Sequence, residues 1–210
     1  MNWLVFVCLL GWIYILTVLY RAKLNFWYYI CGSVGLFIFS LILIEPYVVV
    51  PLQKAVSAVA GVIGGLTHLY DSYFQQGILF IQNGGTSLSL YIDFECSGVI
   101  EMLAFLALLW FFPVYDKYER VVVSMIGVMA IFLANVLRIF FICLLVHIWG
   151  IDMYFFAHTI FARILFYGCT VFLYFYVFTK PQIVRQKVGA FRYDFSDQPH
   201  RKTRYQPDRM

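Results

Sequence analysis

Three residues stand out for their chemistry: Cys96, Arg138 and His158. A cysteine attacks a carbonyl as its thiolate, and nearby positive charge lowers the thiol pKa. Histidine takes and gives a proton near neutral pH. A fixed guanidinium stabilises a thiolate or the oxyanion of a tetrahedral intermediate. Together they can form an acyl thioester and pass the acyl group to an amine or to water. Cys96 stands among Glu95, Ser97 and Gly98, whereas Cys8, Cys31, Cys143 and Cys169 lie in apolar runs, where a cysteine is a small hydrophobe. Gly98 permits close backbone approach. Asn135 lies one turn before Arg138 on the same helix face, so that face is polar.

Each residue has a plainer reading. Arg138 can snorkel to the headgroups, and His158 can serve as an interfacial or capping histidine. His147 is a rival base, but its place just before Trp149 and Gly150 fits an interfacial belt; His68 and His200 fall in loops. Glu101 follows Cys96 by five residues and Arg163 follows His158 by five, which puts both ~7.5 Å below their helix starts. They are expected to form a buried pair that holds the two helices in register. The competing pairing is Glu101 with Arg138.

The elements that position these groups must be membrane helices. Of the 210 residues, 63% are hydrophobic and 12% charged, against roughly 25% charged in soluble domains. Apolar runs near the ~20 residues that a span needs cover residues 2–20, 26–44, 97–112, 121–149 and 156–178. The 121–149 run is too long for one straight span and is expected to end or bend near Val146. Residues 47–66 form a weaker amphiphilic stretch, interfacial, re-entrant or spanning. Asn83-Gly84 between two β-rich segments, 78–82 and 87–93, signals a hairpin, which must lie in water or on the membrane surface. The fold class is an all-α polytopic membrane protein, a bundle of about five to seven transmembrane or re-entrant helices with a short extracytoplasmic β-hairpin. Residues 1–179 are the catalytic membrane domain. Residues 180–210 are a basic cytoplasmic tail expected to be disordered. The first apolar run lacks a basic start and a small-residue cleavage site and reads as a retained helix.

Basic loops face the cytoplasm. Arg21 and Lys23, Lys117 and Arg120, and eight Lys or Arg in the tail fall on one side if the N-terminus is outside and residues 47–66 do not cross alone. Cys96 and His158 then begin inward-running helices at the outer boundary. Arg138 follows Val121 by 17 residues, ~26 Å into a ~30 Å core, so all three groups share one layer. The net charge of +4 is concentrated in the tail and is no nucleic-acid signature. No Cys/His metal spacing occurs, and neither a metal nor a cofactor is expected.

In this order and at this common depth, Cys96-Ser97-Gly98 after an acidic residue, Asn135-x-x-Arg138, and His158 heading the last helix resemble the exosortase/archaeosortase family over residues 26–179. The short chain, basic tail and lack of a fused soluble domain look most like its Gram-positive branch. The resemblance implies a membrane-embedded transpeptidase of the bacterial plasma membrane, sortase-like in chemistry, with Cys96 as nucleophile, Arg138 as transition-state stabiliser and His158 as general acid/base. It implies membrane-anchored protein substrates bearing a C-terminal sorting signal: a short recognition motif, a transmembrane helix and a basic cluster. The rival from another class is a non-catalytic membrane subunit of an export or polysaccharide-assembly system, which needs no thiolate. A solute transporter would line a whole path with polar residues, whereas here they cluster at one face. The absence of HExxH and GxSxG disfavours a metallo- or serine peptidase.

Overall fold

The structure is a computed structural model that describes residues 3–73, 75–83, 86–94 and 96–183. Among these, five helical stretches are long and apolar enough to cross a membrane: Trp3–Arg21, Asn25–Glu45, Tyr47–Thr67, Lys117–Trp149 and Ile151–Ile183. The chain is thus a multi-pass helical membrane protein with one small sheet. Glu95, Gly84, Gly85 and the tail beyond residue 183, His200 included, lie outside the described residues.

Helix α1 (Trp3–Arg21) buries none of its residues, as befits a helix largely surrounded by lipid. It is fastened to α2 (Asn25–Thr67) where Trp12 Nε1 donates to the Cys31 carbonyl at 2.9 Å. Gly35 makes room for the same indole. Helix α3 (Val99–Phe111) approaches α4 (Lys117–Trp149) closely because Gly127 offers no Cβ against the fully buried Phe105 ring. The last helical stretch contains α5 (Tyr154–Phe156), a π-helical turn (Ala157–Phe161) and α6 (Ala162–Tyr174). Its Phe166 and Val177 join Phe105, Leu109 and Ile131 in the lower core.

Helix α2 departs from the sequence expectation. Glu45 and Pro46 read as a stop, yet the helix runs for 43 residues, ~64 Å at 1.5 Å per residue, about twice the hydrocarbon core. Proline removes one ladder N–H, a loss that neighbouring groups can absorb in membrane proteins. The first half of α2 meets Ala104, Ala107 and Leu108 of α3. Beyond Pro51, Leu52 lies against Met102 and Leu106. At 100° per residue these two sets fall on opposite flanks of α3. The second half earns its order from buried polar contacts: Ser57 Oγ and Ser72 Oγ lie 3.0 Å apart, and Tyr70 donates to the Ala60 carbonyl at 2.6 Å. Burial pushes the Tyr70 hydroxyl well above the usual tyrosine range, so it stays a neutral donor.

The expected hairpin is a three-stranded antiparallel sheet in the order β1 (Asp71–Tyr73), β2 (Ile78–Asn83), β3 (Thr86–Tyr91). Leu79, Ile81, Leu90 and Ile92 are buried against Val56 and Ala60 of α2 and Val136, Ile139, Ile142 and Val146 of α4. Helix α4 ends at Trp149, three residues past the position near Val146 where an end or bend is expected. Its ~50 Å exceed the core thickness, and its residues Val136 to Val146 support the sheet. Conversely, α3 has 13 residues, only ~20 Å, shorter than the span expected over 97–112. At the opposite end, Arg120 Nη2 donates to the Phe112 and Tyr115 carbonyls, both at 3.2 Å, and closes the charged loop.

Candidate active site

The turn before α3 is built by its own backbone. The Cys96 N–H donates to the Asp93 carbonyl at 3.0 Å, and the Ser97 N–H and Oγ both donate to the Phe94 carbonyl. Gly98 then takes φ 78°, a left-handed conformation that glycine adopts without penalty. A Cβ there would also sit 3.4 Å from Asn135 Cγ. Asn135, fully buried on α4, donates from Nδ2 to the Cys96 carbonyl at 2.8 Å, fixing the turn to the helix that carries Arg138. Among the described residues its buried Oδ1 has no hydrogen-bond partner.

The Cys96 Sγ lies 3.3 Å from His158 Nε2. Cys96 is 6% exposed and His158 half-buried. His158 sits in the π-helical turn, where the Ala162 N–H reaches back five residues to the Ala157 carbonyl. Such an extra residue re-aims side chains, and π-turns recur at functional sites. One turn earlier, Tyr154 stacks on the imidazole with ring centres 5.4 Å apart. Arg138 is 7% exposed, with its guanidinium carbon 5.2 Å from the centre of the Phe166 ring.

These groups meet in a cavity of about 280 Å³ lined by Cys96, Ile100, Glu101, Arg138, His158, Arg163 and Tyr167. Three elements contribute: α3 with its preceding turn, α4, and the last helical stretch. Glu101 is half-buried and Arg163 exposed. Both line the cavity, and among the described residues no ion pair joins Glu101 to Arg163 or to Arg138. The expected structural pair is therefore not formed. His147 is not among the cavity residues. Ser97 is buried as a turn-former rather than a cavity group. Tyr154, Tyr167 and Ile100 were not singled out by the sequence. Tyr154 carried one signal, its i, i+4 spacing to His158.

Chemically, the thiol and imidazole are placed for proton transfer, and Arg138 supplies positive charge in a partly enclosed space. No group of three or more metal-ligating side chains occurs among the described residues.

A family model described as transmembrane exosortase matches residues 1–176. The chain belongs to the exosortase family, and with that goes a membrane peptidase or transpeptidase role on proteins that carry membrane sorting signals. No curated protein and no solved structure matches the chain.

Proposed function

We propose that this chain is a cysteine transpeptidase that cleaves the C-terminal sorting signal of exported membrane-anchored proteins and transfers the product to an acceptor. The observation that carries the reading is the 3.3 Å contact of Cys96 Sγ with His158 Nε2 in a cavity shared with Arg138. His158 takes the Cys96 proton, and the thiolate adds to the scissile carbonyl. Arg138 faces the resulting oxyanion. Collapse breaks the C–N bond, His158 protonates the leaving amine, and a thioester to Cys96 remains. An acceptor amine or water then enters, gives a proton to His158 and displaces Cys96, which leaves as thiol.

We place the site on the extracytoplasmic face of the plasma membrane with the C-terminus inside. Lys117 and Arg120 cap the end of α4 remote from Arg138, which supports that orientation. Within the family we assign the chain to the Gram-positive branch on its basic tail.

The test is substrate processing in the native host. With Cys96→Ala, proteins bearing such signals are expected to accumulate with the signal retained while the variant still reaches the membrane. Normal maturation in that strain would overturn the catalytic reading in favour of a scaffold subunit.

A further inference from the structure

Strand β3 is an edge strand that leads directly to the nucleophile. Its inner side is used in full: Asn83 pairs with Thr86, Ile81 with Leu88 and Leu79 with Leu90. The ladder then extends past the strand, where the Ile92 N–H donates to the Gly77 carbonyl at 2.9 Å. In antiparallel pairing, hydrogen-bonded and non-hydrogen-bonded residue pairs alternate. The Ile92–Gly77 bond fixes the parity, so Leu88, Leu90 and Ile92 face β2 with their main-chain groups. Ser89 and Tyr91 must turn their N–H and C=O to the free side, where no described residue pairs with them. Both residues are exposed. An exposed strand edge is a template for an added strand.

The distance to the chemistry is short. Cys96 follows Tyr91 by five positions, at most ~18 Å of extended chain, and the hydrogen bond from the Cys96 N–H to the Asp93 carbonyl shortens it. A peptide lying along Ser89 and Tyr91 advances ~3.3 Å per residue, so about five of its residues cover that length. The open face of the sheet is aromatic there: Tyr73 and Tyr91 share one row across the strands, and Phe80 occupies the next. Tyr73 is 63% and Tyr91 57% exposed. Alternate side chains of an added strand would rest beside them.

We infer that the free edge of β3 binds the substrate's recognition segment as an added strand, holding it through main-chain bonds to Ser89 and Tyr91 while its scissile carbonyl meets Cys96. The inference rests on the transpeptidase reading. Continuity with Cys96 selects a substrate segment over a second copy of this chain as the occupant.

The test uses the full-length protein in native-host membranes. Mass spectrometry of the hydroxylamine-labile adduct on Cys96 first identifies the substrate and its junction. A photo-crosslinking phenylalanine analogue at Tyr91 is then expected to capture that same substrate within about five residues of the junction. Adduct formation with crosslinks only to the substrate's membrane helix, to lipid, to a second copy or to nothing would overturn the edge-binding inference alone. Failure to form any Cys96 adduct would overturn the transpeptidase reading and the inference with it. Independently, Ser89→Pro deletes the outward N–H at an edge that tolerates proline and should cut adduct yield about five- to tenfold, the worth of roughly one hydrogen bond. Ser89→Ala should keep it within about twofold. Equal yields from the two accumulated variants would contradict the inference; if Ser89→Pro fails to accumulate, the crosslink position decides.

Discussion

At the residue scale, Cys96, His158 and Arg138 are expected to act as one unit. His158→Ala should lower turnover about 10²–10⁴-fold and Arg138→Ala about 10²–10³-fold, with Cys96→Ala inactive. The His158/Arg138 double variant should lose far less than the product of the single losses, as measured by the rate of signal removal in membranes. Multiplicative losses would show that the groups act separately. Glu101 has the opposite profile from the one its depth suggested. Since no ion pair to a described residue holds it, Glu101→Gln should leave accumulation and thermal stability unchanged while altering turnover. A drop in stability would restore a structural role. The pairing expectation failed for a geometric reason. Residue counting fixes depth along a helix, but the angle around the axis and the separation between helices decide contact, and these come from packing. Depth sufficed to bring Cys96, Arg138 and His158 together because all three lie near the top of converging elements. Tyr154 and Tyr167 stayed hidden because the chain has 16 tyrosines, and an interfacial tyrosine in a membrane protein carries little information.

At the element scale, the site depends on how closely α3 meets α4. Gly127 leaves the space that Phe105 fills. Gly127→Val should push the helices apart at a cost of about 1–3 kcal/mol and reduce signal removal, although position 127 lies far along α4 from Arg138. Melting temperature and turnover should fall together. Unchanged turnover would mean that the Cys96 turn is held from above, by Asn135 and the sheet, and not by α3. The sequence revealed the long apolar runs and the hairpin signal, because periodicity and turn residues are local. It concealed the continuity of α2 through Pro46 and the strand Asp71–Tyr73. The strand depends on distant partners, the half-buried Ser57–Ser72 contact and the pairing of β1 with β2. The added length of α4 was visible as a run too long for one span, but its use as a support for Leu79, Ile81 and Leu90 was not.

At the scale of the whole molecule, the bundle has a charged end, marked by Lys117 and Arg120, and a sheet-bearing end with the thiol cavity just beneath it. The orientation has a direct check. In a background lacking the exposed Cys8 and Cys169, Ser89→Cys should react with an impermeant thiol reagent in intact cells, and Tyr118→Cys only after the membrane is breached. The reverse pattern would put the cavity on the cytoplasmic face. The covalent step is read most directly by intact-mass analysis of the protein isolated from its host under acid quench. A fraction is expected to carry a polypeptide on Cys96 that hydroxylamine removes, absent in Cys96→Ala and strongly reduced in His158→Ala. An unmodified Cys96 throughout active signal removal, or an equal adduct in the His158→Ala variant, would contradict it.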